Sequence, residues 1–308
     1  MHNTEPTYYG AIDIGSNAVR LVVKRLDDPL AGVFSKCVTM RVPLRLGQEV
    51  FTEGRISDAK ARQLIKLLRA YKLVMKLYDI RKRCFRCCGT SAMREAENGS
   101  TVVDAIAAAT GLHVEIIDGA EEASIICRQH RPKDVERNRV YVDVGGGSTD
   151  ISLVPAHEHV RSTYSYPVGT VRMINGLDIA PSMARMRSDM SEIAEQYDGI
   201  IIVGTGGNIN KLFALSKDAS PSEQLMTVSS LRNLYAELSE LTPAARAERY
   251  NLKPDRADVI VPAAEIYLNV ASALGATYIE VPTTGLADGL ISLLYEEQRG
   301  GKHKKKQH

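Results

Sequence analysis

Two short stretches decide how this chain is read: Asp13-Ile14-Gly15-Ser16-Asn17 and Asp143-Val144-Gly145-Gly146-Gly147-Ser148-Thr149. Each follows an apolar run (Tyr8 to Ile14; Val140 to Val144) and precedes a second β-prone run (Ala18 to Val23; Ile151 to Val154), so each predicts a β-hairpin. Glycine lacks a Cβ, which lets the backbone turn sharply and bring its N–H groups against an anion, while Ser and Thr hydroxyls add donors. One such turn is a weak signal, because a strand ending in Asp-x-Gly is most often only a turn. Two copies offset from 13 to 143 are stronger, since a domain-sized repeat suggests two similarly built domains. Clefts between domains are where ligands usually bind, and the expectation is a two-sided phosphate clamp made by the two turns.

The composition sets bounds on function. With 308 residues, 44% hydrophobic and 25% charged, the chain has the length for two domains of about 150 residues. A net charge of +2 argues against a nucleic-acid coating role, which needs a concentrated basic surface. No basic-then-apolar leader is visible in Met1 to Pro6, so no secretory signal is expected. The longest apolar stretch, Val259 to Leu274, is interrupted by Glu265 and Asn269 and reads as a packed helix rather than a membrane span. Five cysteines, an odd number without a leader, favour a reducing cytoplasm. Cys84, Cys87 and Cys88 fall in a predicted strand, Arg83 to Gly89, where cysteine is a small buried hydrophobe; no second ligand pair lies nearby to complete a zinc tetrahedron.

Beyond the first hairpin, Val33 to Leu44 predicts a third antiparallel strand. A helix follows, capped by Ser57, with Leu64, Leu67, Leu68, Tyr71, Met75 and Tyr78 on one face and Lys60, Arg62, Lys66 and Lys72 on a solvated one. Next are a helix from Ser100 to Thr110 stopped by Gly111, a strand at His113 to Ile117, and a helix starting near Gly119. The second half repeats much of this: strands around Val140, Ile151 and Val160, a strand Gly199 to Val203 before Gly204-Thr205-Gly206-Gly207, a strand Thr277 to Val281, and a closing helix from Leu286 to Gln298. The stretch Val228 to Ala247 is helix-rich without clear boundaries, and the lysine-rich tail from Gly300 to His308 reads as disordered. Meanders followed by alternating helices and strands imply an α/β fold with mixed sheets.

Several blocks in order, Asp13-Ile-Gly-Ser-Asn with Val19-Arg20-Leu21, Gly89-Thr-Ser-Ala-Met-Arg94-Glu-Ala, Asp118-Gly-Ala-Glu121-Glu122-Ala, Asp143 through Asp150, Gly204-Thr-Gly-Gly and Arg256-Ala-Asp-Val-Ile, resemble the exopolyphosphatase/guanosine pentaphosphate phosphatase (Ppx/GppA) family. The resemblance implies the actin-like ATPase (ribonuclease H-like) duplicated fold, with domains at residues 1–127 and 128–299 and an interdomain cleft. It further implies a short form without the C-terminal helical domains of longer members, and it suggests a homodimer. Glu121 matches the family's catalytic base, with Glu122 the nearest alternative; by position alone both are acids suited to a first helical turn.

Hydrolysis of a phosphoanhydride needs a positioned water, a group to activate it, and donors for the charged oxygens. Arg94, just beyond the strand ending at Gly89, suits bidentate phosphate contact. The turn residues Gly15, Ser16, Asn17, Gly145, Gly146, Gly147, Ser148 and Thr149 are candidate phosphate donors. Gly206 and Gly207, opening a helix after a strand, are further candidates, and Arg256 extends the basic set. Carboxylates beside a polyanion require a cation, so Asp143 and Asp150, with Asp13 as a weaker third, are candidate ligands for Mg²⁺ or Mn²⁺. The family commonly has Glu where this chain has Asp150, and the shorter side chain favours a water-bridged contact. The expected activity is release of orthophosphate from inorganic polyphosphate. The alternatives are the same chemistry on guanosine pentaphosphate, an ATP-using relative of the same fold, or a non-catalytic polyphosphate-binding protein.

Overall fold

The computed structural model describes residues 7–129, 135–158, 160–282 and 284–304. In chain order the elements are β1 (Thr7–Ile14), β2 (Val19–Asp28), β3 (Val33–Val42), α1 (Leu46–Glu53), α2 (Asp58–Leu77), β4 (Phe85–Gly89), α3 (Ser91–Glu95), α4 (Gly99–Thr110), β5 (Glu115–Ile116) and α5 (Gly119–Gln129). They continue with β6 (Arg139–Val144), β7 (Thr149–Val154), β8 (Ser162–Tyr166), α6 (Thr170–Ile174), α7 (Ala180–Gln196), β9 (Ile201–Thr205), α8 (Gly206–Leu215) and β10 (Leu225–Thr227). Last come α9 (Val228–Ser239), α10 (Pro243–Arg249), α11 (Pro254–Leu274), β11 (Tyr278–Glu280) and α12 (Leu286–Lys304).

Two compact units result: one holds residues up to Asp118 together with those from Leu286 onward, the other Gly119–Gly285. The expected division at 127/128 therefore moves to 118/119, and the last helix belongs to the first unit rather than the second. Its apolar stripe explains the return. Tyr295 packs edge-on against Tyr9 and Phe34 and donates its hydroxyl to Pro29 O at 2.7 Å, while Lys24 pairs with Asp288 at 2.7 Å.

The first unit's sheet has the order β3-β2-β1-β4-β5, with β1, β2 and β3 antiparallel and β4 and β5 parallel to β1. As a central strand, β1 is buried from Tyr9 to Ile14 and is apolar there apart from Asp13. Helix α2 forms as expected: Ser57 accepts from Lys60 N at 3.2 Å, and Leu64, Leu68, Tyr71 and Met75, spaced by four, three and four, are its buried face. Gly111, at φ 70°, ends α4.

In the second unit the order is β10-β11-β9-β6-β7-β8. Here β6, β7 and β8 form the antiparallel meander, and β9 and β11 run parallel on the other side. The same five-strand plan thus occurs twice, with β10 added, in agreement with the duplicated mixed-sheet fold. Helix α11 buries residues along most of its length in this core, as a packed helix does, although its length and composition alone would suffice to cross a membrane.

Several boundaries differ from expectation. The strand expected at His113 to Ile117 shrinks to two residues, and the one expected near Val160 begins at Ser162. The unresolved helical stretch separates into α9 and α10 at Pro243, which occupies the N1 position of α10. Residues 300–304, expected as part of a disordered tail, continue α12; residues 305–308 lie outside those described. Cys84, Cys87 and Cys88 are buried, and among the described residues no group of three or more His, Cys, Asp or Glu side chains could hold a metal.

Candidate phosphate-binding and hydrolytic site

In the second unit, Gly145 N closes the turn onto Ser148 O at 2.9 Å. Three of the turn's carbonyls are tied to α6. Thr170 N donates to Gly145 O at 3.1 Å, Val171 N to Gly146 O at 2.8 Å, and Arg172 Nε to Gly147 O at 2.6 Å. In a trans peptide the C=O and the following N–H point opposite ways, and no peptide here is cis. Capture of these three carbonyls therefore turns the amides of Gly146, Gly147 and Ser148 away from α6. Among the described residues Gly146 and Gly147 give their N–H groups to no protein acceptor, the state of an anion-binding nest. Gly169 makes the approach possible: a Cβ there would lie 2.3 Å from Gly146 O.

The hydroxyls of this turn are engaged elsewhere. Thr149, fully buried, donates to Val168 O at 2.6 Å, and Ser148 donates to Asp150 Oδ2 at 3.1 Å. Asp143 and Asp150 are directly opposite each other across β6 and β7, which puts both carboxylates on one face with Cβ atoms about 5 Å apart. Thr205 donates to Asp143 Oδ2 at 3.1 Å. Gly206 has φ +83°, and a Cβ there would lie 2.7 Å from Asp143 Oδ1. Its amide goes to Thr284 O at 3.2 Å, so of the Gly206-Gly207 pair only Gly207 keeps a first-turn amide for a ligand. Arg256 braces this turn, with Nη1 donating to Gly207 O at 2.6 Å and Asn208 Oδ1 at 3.2 Å. That makes it a positioning residue for α8.

Helix α5 starts against the same face. A Cβ at Gly119 would lie 2.5 Å from Asp150 Oδ1 and 2.7 Å from Ser165 Oγ. Glu121 is exposed two residues further on, and Glu122 is half-buried. The second unit thereby brings together the glycine turn, Asp143, Asp150 and the first turn of α5.

The first unit repeats the turn device. Gly15 N donates to Ala18 O at 3.2 Å, and residues leading into α1 capture the turn carbonyls, Gly47 N on Ser16 O at 2.8 Å and Arg45 N on Asn17 O at 3.0 Å. Ser16 is 4% exposed, and among the described residues its hydroxyl has no hydrogen-bond partner. A buried, unanswered hydroxyl is costly unless a ligand meets it. Arg94, on α3 past the end of β4, donates Nη1 to Ile117 O at 2.8 Å; β4 ends with Gly89 beside Ile14, so Arg94 and the first turn share one end of the sheet. The position matching Asp150 is Arg20, opposite Asp13 and 3.7 Å from it. Asp13 thus already has a counter-charge from its cross-strand neighbour, whereas the cross-strand neighbour of Asp143 is a second carboxylate, Asp150.

Burial holds the Asp13 carboxyl above its ordinary value of 3.8, against the pull of Arg20 and Arg41. An acid whose folded pKa is raised keeps its proton on folding where the unfolded chain has lost it. Its contribution to stability is therefore greatest below pH 3.8 and falls as pH rises through the folded pKa. The expected result for Asp13→Asn is a flatter dependence of melting temperature on pH above 3.8 than in the wild type, measured by thermal denaturation; an unchanged slope would refute the assignment.

Sequence reading overlooked Gly169, Thr170 and Arg172. The available signal was a Gly-Thr pair ahead of a cation after a strand, but α6 has only five residues and no period to reveal it.

The duplicated strand plan and the twin glycine turns define a two-unit protein with mixed sheets. The model of the Ppx/GppA phosphatase family matches residues 22–297, and the chain belongs to that family. It is 27% identical to exopolyphosphatase 1 of Mycobacterium tuberculosis, over 95% of this chain and 89% of that protein. It is 25% identical to the guanosine-5'-triphosphate,3'-diphosphate pyrophosphatase of Aeromonas hydrophila, where 94% of this chain spans 60% of the relative's length. Among solved structures, an exopolyphosphatase from Cytophaga hutchinsonii superposes with a TM-score of 0.81 at 19% identity, covering 94% of this chain and 98% of that one.

Proposed function

We propose that the protein is an exopolyphosphatase that releases terminal orthophosphate from inorganic polyphosphate. The observation that carries this reading is the second glycine turn, whose carbonyls are anchored to α6 so that the amides of Gly146 and Gly147 point away from that helix, next to a carboxylate pair and the start of α5. Outward amides bind phosphate oxygens without a charged side chain. Glu121 takes a proton from the attacking water, and the amides of Gly146 and Gly147 hold the phosphoryl oxygens.

Two carboxylates on one face repel each other and any phosphate. That donor set fits Mg²⁺ or Mn²⁺, bound by one or two carboxylates with water and substrate oxygens completing the shell. Asp143 and Asp150 are the residues that would hold the ion, and it would supply charge neutralisation to the phosphoryl group. The same reading includes a cytoplasmic location and a homodimer.

Relatives named for guanosine-5'-triphosphate,3'-diphosphate support a second substrate on the same machinery. The test is orthophosphate release from long polyphosphate, tripolyphosphate, guanosine pentaphosphate and ATP, each with Mg²⁺ or with EDTA. Fastest release from polyphosphate, abolished by EDTA and reduced at least about 100-fold in Asp143→Asn, supports the reading. Preference for the nucleotide favours the second substrate, and binding without release would make the protein a sensor.

A further inference from the structure

Nine basic and two acidic side chains lie between Asp58 and Arg83, a net +7 in a chain whose total is +2. On α2, Arg62, Lys66, Arg69 and Lys76 recur at steps of four, three and seven. That spacing aligns them on one helix face over about 21 Å at 1.5 Å per residue, and all four are exposed. Exposed Arg81, Lys82 and Arg83 continue from the helix end. Among the described residues, the side chains of Arg62, Lys66, Lys76, Arg81 and Lys82 make no ion pair or hydrogen bond. Arg69 donates to Ala109 O. The nearby acids are Asp58 and Asp79 at the ends of the line and Asp104 on α4, which packs against α2.

The line has a direction. Its first turn is fastened to the segment that holds the first glycine turn, with Lys60 Nζ on Leu44 O at 2.7 Å and Ser57 N on Glu49 Oε2 at 3.0 Å. The far end lies by the start of β1, where Met75 and Ile80 border Gly10. There Gln298 of α12 donates to Arg83 O at 2.7 Å, and α12 carries the backbone on to Lys304.

We propose that this face is a docking lane for the distal part of a long inorganic polyphosphate chain whose near end lies at the first glycine turn. The proposal rests on the polyphosphatase reading and adds a chain-length preference to it. A row of exposed cations, all but Arg69 without a hydrogen-bond or ion-pair partner among the described residues, leads away from the first glycine turn and complements a linear polyanion. The exposed Leu73 and Leu77 beside it are too few to form an apolar face.

The test compares wild type with R62Q/K66Q/K76Q/K82Q, all exposed positions. Fluorescence anisotropy measures binding of long-chain polyphosphate and of tripolyphosphate across salt concentrations. The expected result is a rise of about tenfold or more in Kd for the long chain, with the salt slope shallower by about three for four lost contacts, at roughly 0.7 each on a flexible polyanion. Tripolyphosphate binding and turnover stay unchanged, and the charge-conserving R62K/K66R/K76R/K82R variant behaves as wild type. Equal losses on both ligands, unchanged long-chain affinity, or loss only of binding to phosphatidylserine vesicles would each overturn the lane. Because binding is read without turnover, absence of orthophosphate release from every substrate would sink the hydrolase reading while leaving the lane to be judged on its own.

Discussion

Replacing Glu121 by Gln is expected to reduce orthophosphate release by about 10²- to 10⁴-fold, the usual range for removing a placed general base, with polyphosphate affinity retained. Glutamine keeps the size of the side chain and its place in the first turn of α5, so folding and the neighbouring Asp150 face are undisturbed. What it removes is the ability to accept a proton from water. The effect belongs in kcat rather than KM, because the group acts on the nucleophile and leaves the phosphate contacts intact. Steady-state kinetics paired with equilibrium binding decides the matter: near-normal turnover in Glu121→Gln would transfer the role elsewhere, with Glu122→Gln the next variant to measure.

The second large effect is expected from a single methyl group. Gly169→Ala places a Cβ 2.3 Å from Gly146 O, and the obstacle is backbone of the second glycine turn. Either α6 withdraws or the turn rotates; both break the contacts from Thr170, Val171 and Arg172 that aim the turn's amides outward. Overpacking of this kind costs about 1–3 kcal/mol, so a folded but less stable protein is expected, with a melting temperature lower by several degrees and phosphate affinity lost in parallel. Circular dichroism and orthophosphate binding measure the two consequences. A variant that binds phosphate as wild type does would show that the carbonyl anchors are dispensable.

How much of this was visible in the residues depended on the range of the interactions involved. The two hairpins were legible because a glycine turn between apolar strands is a local pattern, as was the start of α2 at Ser57 and the end of α4 at Gly111. Helices α1, α3 and α6, of eight, five and five residues, are too short to display a period. They form because they close onto turns and strands distant in sequence. The same limit hid Arg172: its value comes from a carbonyl 25 positions earlier, and nothing adjacent to it announces that partner. Conversely, Thr149 and Gly206 had the right chemistry for a phosphate donor, but strand and helix geometry directed the hydroxyl of one and the amide of the other to backbone carbonyls.

The first unit is assembled from two pieces of chain separated by the whole of the second. A ribosome delivers Leu286 only after Gly119–Gly285 has been made, so the continuous unit has all its residues while the earlier-synthesised one still lacks the helix that covers Tyr9 and pairs with Lys24. Nascent chains usually mature from the amino end; here the order of completion is reversed, and chaperone demand during translation should centre on the waiting amino-terminal sheet.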